Sequence, residues 1–173
     1  DLFSLINNKL LDLADPYMVM SYSEVAFLQA EAKERNIGTV AGTAKSHYEN
    51  GVKAAMQMYT PYDASLTVSD AAVAAYLAVP ENVYTDGGPN SLKMIGTQMW
   101  ISKFMNWWDA WNDWRRTRLP VLVEVNYPGN ITGGKIPSRL IYPTHEVAVN
   151  SANMEAGGNT PNRPTTKIWW DIK

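Results

Sequence analysis

Asp109 and Asp113 stand one helical turn apart in the stretch WWDAWNDWRR, and a carboxylate pair is what a glycoside hydrolase needs. The spacing argues against that chemistry. Side chains at i and i+4 leave one helix face with Cβ atoms about 5–6 Å apart, whereas the carboxyl groups of a glycosidase flank the sugar from opposite sides. Arg115 and Arg116 follow at once, and Asp113 can pair with Arg116 three residues on, so the cluster reads as structural charge. The two histidines, His47 and His145, have no second ligand or triad partner at helical or turn spacing, so neither a metal site nor a Ser-His-Asp arrangement follows. Gly87-Gly88 and Gly133-Gly134 lack the strand–turn–helix setting of a phosphate loop. Asn130-Ile131-Thr132 fits the N-glycosylation pattern, a triplet common by chance. The sequence therefore nominates no catalytic residue, no metal ligand and no cofactor, and no enzyme is expected.

Two other groups of residues carry a defined expectation. Glu24 and Glu31 lie seven apart, nearly on one helix face, and border Phe27 and Leu28. An acid in such a place is paired or sits at a rim. Arg115 and Arg116 project about 100° apart on a helix and cannot serve the same partner. One is expected to stay near Asp113 and the other to reach Glu24 or Glu31 in a bidentate ion pair. The second group is Tyr59, Tyr62, Tyr84 and Asp86, in the turn-rich segments 59–66 and 80–90. Loops on a rigid scaffold commonly carry function, and these four are the expected surface contacts for a ligand or partner.

The elements that must position these residues are helical. Residues 17–36 predict a helix with Met18, Tyr22, Val25 and Ala32 on one face, Lys33 and Arg35 in its last turn and Gly38 as a stop. A second helix is expected over 41–59, and its small residues Ala44, Gly51 and Ala55 would admit a close neighbour. The pair has roughly the period of one tetratricopeptide-like hairpin. A short helix follows over 68–78, with Thr67 and Asp70 as its capping pair, and a long one over 91–117. In the long one Trp100, Phe104, Trp107, Trp111 and Trp114 step by 4, 3, 4 and 3, one apolar stripe that predicts burial in the core. Residues 121–143 predict irregular chain with one short strand at most, and 144–155 a last helix capped by Thr144. The fold class is all-α: a tetratricopeptide-like hairpin plus a long helix, with an irregular, loop-rich C-terminal part.

Composition bounds the partners. The 173 residues are 46% hydrophobic, enough for one domain with its own core. A net charge of -2 argues against general nucleic-acid binding, which needs a concentrated basic surface. The chain has no Cys, which excludes disulfides and thiolate chemistry, and no apolar run long enough to span a bilayer. Seven Trp, nine Tyr and three Phe are the unusual feature, suited equally to cores, interfaces and sugar contacts. With Asp1 first and no signal-like start, the chain reads as part of something longer.

The order of its motifs resembles the C-terminal part of the SusD/RagB family of outer-membrane nutrient-binding lipoproteins. The resemblance rests on YSEVAFLQAEA at 22–32, YENGV at 48–52, IGTQMW at 95–100, Asp109-Ala110-Trp111, RRT at 115–117, IPSRLIYP at 136–143 with Glu146, Asn150 and Asn153, and Trp169-Trp170-Asp171. Where family members usually carry Thr-Gly-aromatic-Pro, this chain has Thr117-Arg118-Leu119-Pro120, and Asp109 stands where they usually have Glu. The resemblance implies a mostly helical, tetratricopeptide-like scaffold without enzymatic activity. It implies capture of a glycan or other nutrient at the outer face of the outer membrane, beside a SusC-like TonB-dependent transporter. It also implies a lipid anchor on a Cys outside this chain. The alternative reading is a helical-repeat scaffold that binds a protein or peptide and no glycan.

Overall fold

The computed structural model describes residues 4–171 and is helical, with no strand among them. Among these residues seven α-helices follow one another: α1 (Tyr22–Glu34), α2 (Ala44–Gln57), α3 (Asp70–Leu77), α4 (Pro89–Ser102), α5 (Trp107–Thr117), α6 (Thr144–Val149) and α7 (Ser151–Ala156). They form two compact units, one ending at Pro120 and one beginning at Val121.

Each helix start in the first unit has a local cause. Ser21 accepts a hydrogen bond from the Glu24 amide and so sets the start of α1, leaving 17–20 outside the helix expected there. Thr43 and Ser46 exchange side-chain-to-backbone bonds at the start of α2. Ser69, not Thr67, caps α3 by accepting from the Ala72 amide; Thr67 instead closes the preceding 64–66 turn, its hydroxyl donating to the Ala64 carbonyl at 2.7 Å. α1 packs along α2 and against α4. Their shared core holds Phe27, Tyr48, Val52, Tyr84, Ile95 and Met99, each at most 6% exposed. Gly51 permits this packing: a Cβ there would lie 2.6 Å from the Phe27 ring.

The single helix expected over 91–117 is two. α4 ends at Ser102, and Met105 takes a left-handed backbone (φ 70°) before α5 starts at Trp107. The turn lets the Lys103 ammonium meet Glu24 at 3.0 Å and the Asp109 carbonyl at 3.4 Å. A straight helix would point that carbonyl away from Lys103.

The break also overturns the tryptophan-core expectation. Trp107 and Trp108 are 60% and 62% exposed, Phe104 lies at the surface, and Trp100, Trp111 and Trp114 are only partly buried. With the stripe split across two helices, no single face carries it into the core. Trp107 keeps an edge contact with Phe104 at 5.6 Å. Trp107→Ala is accordingly expected to change stability by less than about 1 kcal/mol in a urea titration, the range of exposed positions.

The second unit is mostly irregular. The Arg139 guanidinium, 7% exposed with its residue, donates to Asn159 Oδ1 at 3.1 Å and Asn162 Oδ1 at 2.9 Å and lies over the Tyr142 ring. Asn162 Oδ1 also accepts from the Tyr142 amide. These bonds hold the loops together where few apolar side chains are buried. The last predicted helix is split at Asn150, whose backbone leaves the helical region (φ -134°, ψ 26°), and Pro143 rather than Thr144 occupies its N-cap.

Candidate functional site

Arg116 donates to both oxygens of Glu31, Nη1 to Oε1 at 2.8 Å and Nη2 to Oε2 at 2.6 Å. Arg35 Nε adds a third bond to Oε1 at 2.6 Å. Burial pushes the Glu31 carboxyl up, but the guanidinium groups of Arg116 and Arg35 outweigh it and hold it below its ordinary range. Arg116 also reaches Asp113 at 2.7 Å, so one arginine takes both partners that the sequence had divided between two. Arg115 instead lies over the Trp111 ring at 3.9 Å, and Glu24 is paired with Lys103. This cluster ties α5 to α1.

Tyr84 is a correction. It is 6% exposed, packs on Tyr48 and donates its hydroxyl to Glu34 at 2.6 Å, so it is a core residue and no surface contact. Its loop folds inward because Ser91, fully buried, donates to the other Glu34 oxygen at 2.6 Å. Burial raises the Glu34 carboxyl while the bonds from Ser91 and Tyr84 lower it further, leaving it below its ordinary range. Asp86 is exposed and lines none of the clefts described below.

Tyr59 and Tyr62 do come together, ring centroids 5.9 Å apart, beside a cleft of about 240 Å³. The cleft lies among the segment before α1, the ends of α2 and α4, and the turn into α5. Tyr17, Phe104, Glu24 and Lys103 also line it. Tyr59 donates to the Phe104 carbonyl at 3.4 Å. Tyr17 is 87% exposed. Burial pushes the Tyr59 and Tyr62 hydroxyls up, with the neighbouring ring and Asp15 respectively adding to it, so both stay protonated at neutral pH. An apolar groove of about 310 Å³, lined by Val52, Met56, Tyr76 and Ile101, shares Tyr59, Ser102 and Phe104 with the cleft.

The sequence reading missed Glu24 and Lys103 as cleft residues. The available signal was Asn106 three residues before Asp109, a helix-start pattern inside the supposed long helix. It would have placed a turn at Lys103.

The arrangement offers aromatic faces, hydroxyls and one buried ion pair, a surface for holding a polar ligand. Asp109 and Asp113 are engaged with Asn106 and Arg116. His47 bonds the Ala41 carbonyl through its ring nitrogen. No group of three His, Asp or Glu among the described residues could hold a metal ion, and no helix among them is long and apolar enough to cross a membrane.

A family model described as starch-binding and associating with the outer membrane, SusD-like, matches residues 2–143. The chain belongs to the SusD-like family. Among solved structures, a Bacteroidetes SusD-like protein is 34% identical over 96% of this chain with a TM-score of 0.85. A chitin-binding protein is also 34% identical over 96%, with a TM-score of 0.81. A chitin-binding SusD homologue from Flavobacterium johnsoniae is 29% identical over 87%, with a TM-score of 0.65. The chain covers 33%, 36% and 36% of those three proteins, about a third of their length. No curated protein matches it. SusD-like membership accounts for the helical hairpin of α1 and α2.

Proposed function

We propose that this chain takes part in capturing a glycan nutrient at the outward face of the outer membrane, handing it unaltered to a SusC-like TonB-dependent transporter. A lipid anchor on a cysteine outside these residues would hold the protein there. The observation that carries the reading is the family match over residues 2–143, whose description is starch-binding with outer-membrane association. Two solved relatives described as chitin-binding support a glycan as ligand. The aromatic cleft beside Tyr59 and Tyr62 gives this chain a place to contribute, since Tyr combines an apolar face with a polar tip.

Affinity electrophoresis through gels containing starch or glycol chitin tests the reading. Retarded migration in at least one gel, with no reducing ends released from the polysaccharide, is the expected result. Unretarded migration in every gel contradicts glycan capture, and release of reducing ends contradicts a purely binding role.

A further inference from the structure

We infer that Glu24 and Lys103 form the polar contact surface of a saccharide site in the Tyr59–Tyr62 cleft, and that this site selects neutral over acidic sugars. The inference rests on the glycan-binding reading above and adds the place, the contacting groups and the charge class.

The ion pair is withdrawn from water: the Lys103 side chain is 7% exposed and that of Glu24 17%. Such a pair gains from hydrogen bonds to whatever lone pairs and N–H groups remain. Several remain here. Lys103 has three donors; the Asp109 carbonyl accepts one at 3.4 Å, and Glu24 Oε1 lies at ion-pair distance, 3.0 Å. Glu24 Oε2 has no hydrogen-bond partner among the described residues. A sugar hydroxyl both donates and accepts, so one ring edge can give a hydrogen bond to Glu24 Oε2 and take one from Lys103.

The remaining walls suit the rest of a sugar. Tyr17, Tyr62 and Phe104 present apolar ring surface, and the Tyr17 and Tyr62 hydroxyls have no hydrogen-bond partner among the described residues. Pockets that combine apolar walls with a few placed polar groups fix the orientation of their ligand.

Charge sets the selectivity. Asp15, Glu24 and Lys103 line the cleft, leaving one negative charge in excess. A uronate or sulfate ester would meet that excess, with the only cation among the described residues lining the cleft, Lys103, already committed to Glu24. Juxtaposed like charges suppress the wrong partner. A buried positive cluster would have argued the opposite.

Isothermal titration of the chain with maltohexaose, cellohexaose and chitohexaose, and with hexagalacturonate as the acidic probe, tests this. At least one neutral hexasaccharide should bind, and hexagalacturonate should bind about tenfold more weakly or not at all. Tyr62→Ala and Glu24→Gln should each weaken neutral binding about tenfold. Asp15→Asn combined with Glu24→Gln should narrow the gap between neutral and acidic probes. Thermal melting confirms that each variant is folded, and Glu24→Gln retains an acceptor for Lys103.

Failure of every oligosaccharide to bind overturns the glycan reading and this inference with it. Neutral binding that is unchanged in both Tyr62→Ala and Glu24→Gln overturns the site alone. Equal binding of hexagalacturonate overturns the charge selectivity.

Discussion

Phe27→Ala should destabilise the protein by about 3–5 kcal/mol, the cost of emptying a buried aromatic site. Phe27 is fully buried, meets Tyr48 edge-on with centroids 6.2 Å apart and covers the bare backbone of Gly51 on the facing helix. The reverse substitution should hurt as well. Gly→Ala inside a helix ordinarily stabilises by up to about 1 kcal/mol, but a Cβ at Gly51 would sit 2.6 Å from the Phe27 ring. Overpacking of this kind costs about 1–3 kcal/mol, so the net effect of Gly51→Ala is a loss. The two sites must then couple: with the Phe27 ring gone, the Cβ at 51 has room. The double variant should be more stable than the sum of the two single losses, which a double-mutant cycle from urea titrations measures. Additive losses would mean that the ring and the glycine do not depend on each other.

Glu31→Gln is the second large effect. The carboxylate receives three charge-assisted bonds, two from Arg116 and one from Arg35, and its side chain is 8% exposed. Breaking a buried pair typically costs about 3–5 kcal/mol. The Arg116 side chain is 44% exposed and keeps Asp113, so solvent screening reduces the expected loss to about 2 kcal/mol. Arg116→Lys should recover little of an Arg116→Ala loss, because an ammonium cannot reproduce the two parallel bonds.

The same carboxylate predicts a pH dependence. Glu31 and Glu34 both have folded-state carboxyls held below the ordinary 4.5. A depressed pKa binds fewer protons in the folded than in the unfolded state, so it contributes stability above the unfolded value. That contribution is lost as pH falls from about 4.5 through the lower folded values. Urea midpoints should therefore drop on acidification through this range, and the drop should be smaller in Glu31→Gln.

Much of the first unit was legible in the sequence because local rules and packing agreed there. The acids on the face of α1 pointed to one of the two arginines at the end of α5, with the choice left open that Arg116 settles by taking both Glu31 and Asp113, and the small residues of α2 pointed to a close helix neighbour. Agreement failed where a local signal was overridden. The tryptophan stripe had helical period throughout, yet Met105 in a left-handed backbone divides it, and in the turn beside it Lys103 meets Glu24. A periodic pattern reports a face only while the helix is continuous. Tyr84 sat among turn residues and still went inward, because Glu34 lies 50 positions away in sequence and accepts its hydroxyl. Arg118 shows a third kind of case. It holds the left-handed position after α5 (φ 60°), a conformation glycine favours, which helical periodicity does not announce. The cleft was half legible: two tyrosines named from loop composition, with their ion-paired neighbours hidden by the supposed long helix.

The most direct test of the central claim, that this SusD-like chain holds a glycan at the Tyr59–Tyr62 cleft, is a heteronuclear NMR titration of the labelled chain with a neutral hexasaccharide. Saturable shift changes are expected in the amides of Glu24, Tyr59, Tyr62, Lys103 and Asn106, with α3 and the Arg139 loops unmoved. Shifts confined to other surfaces, or none with maltohexaose, cellohexaose or chitohexaose, would contradict it.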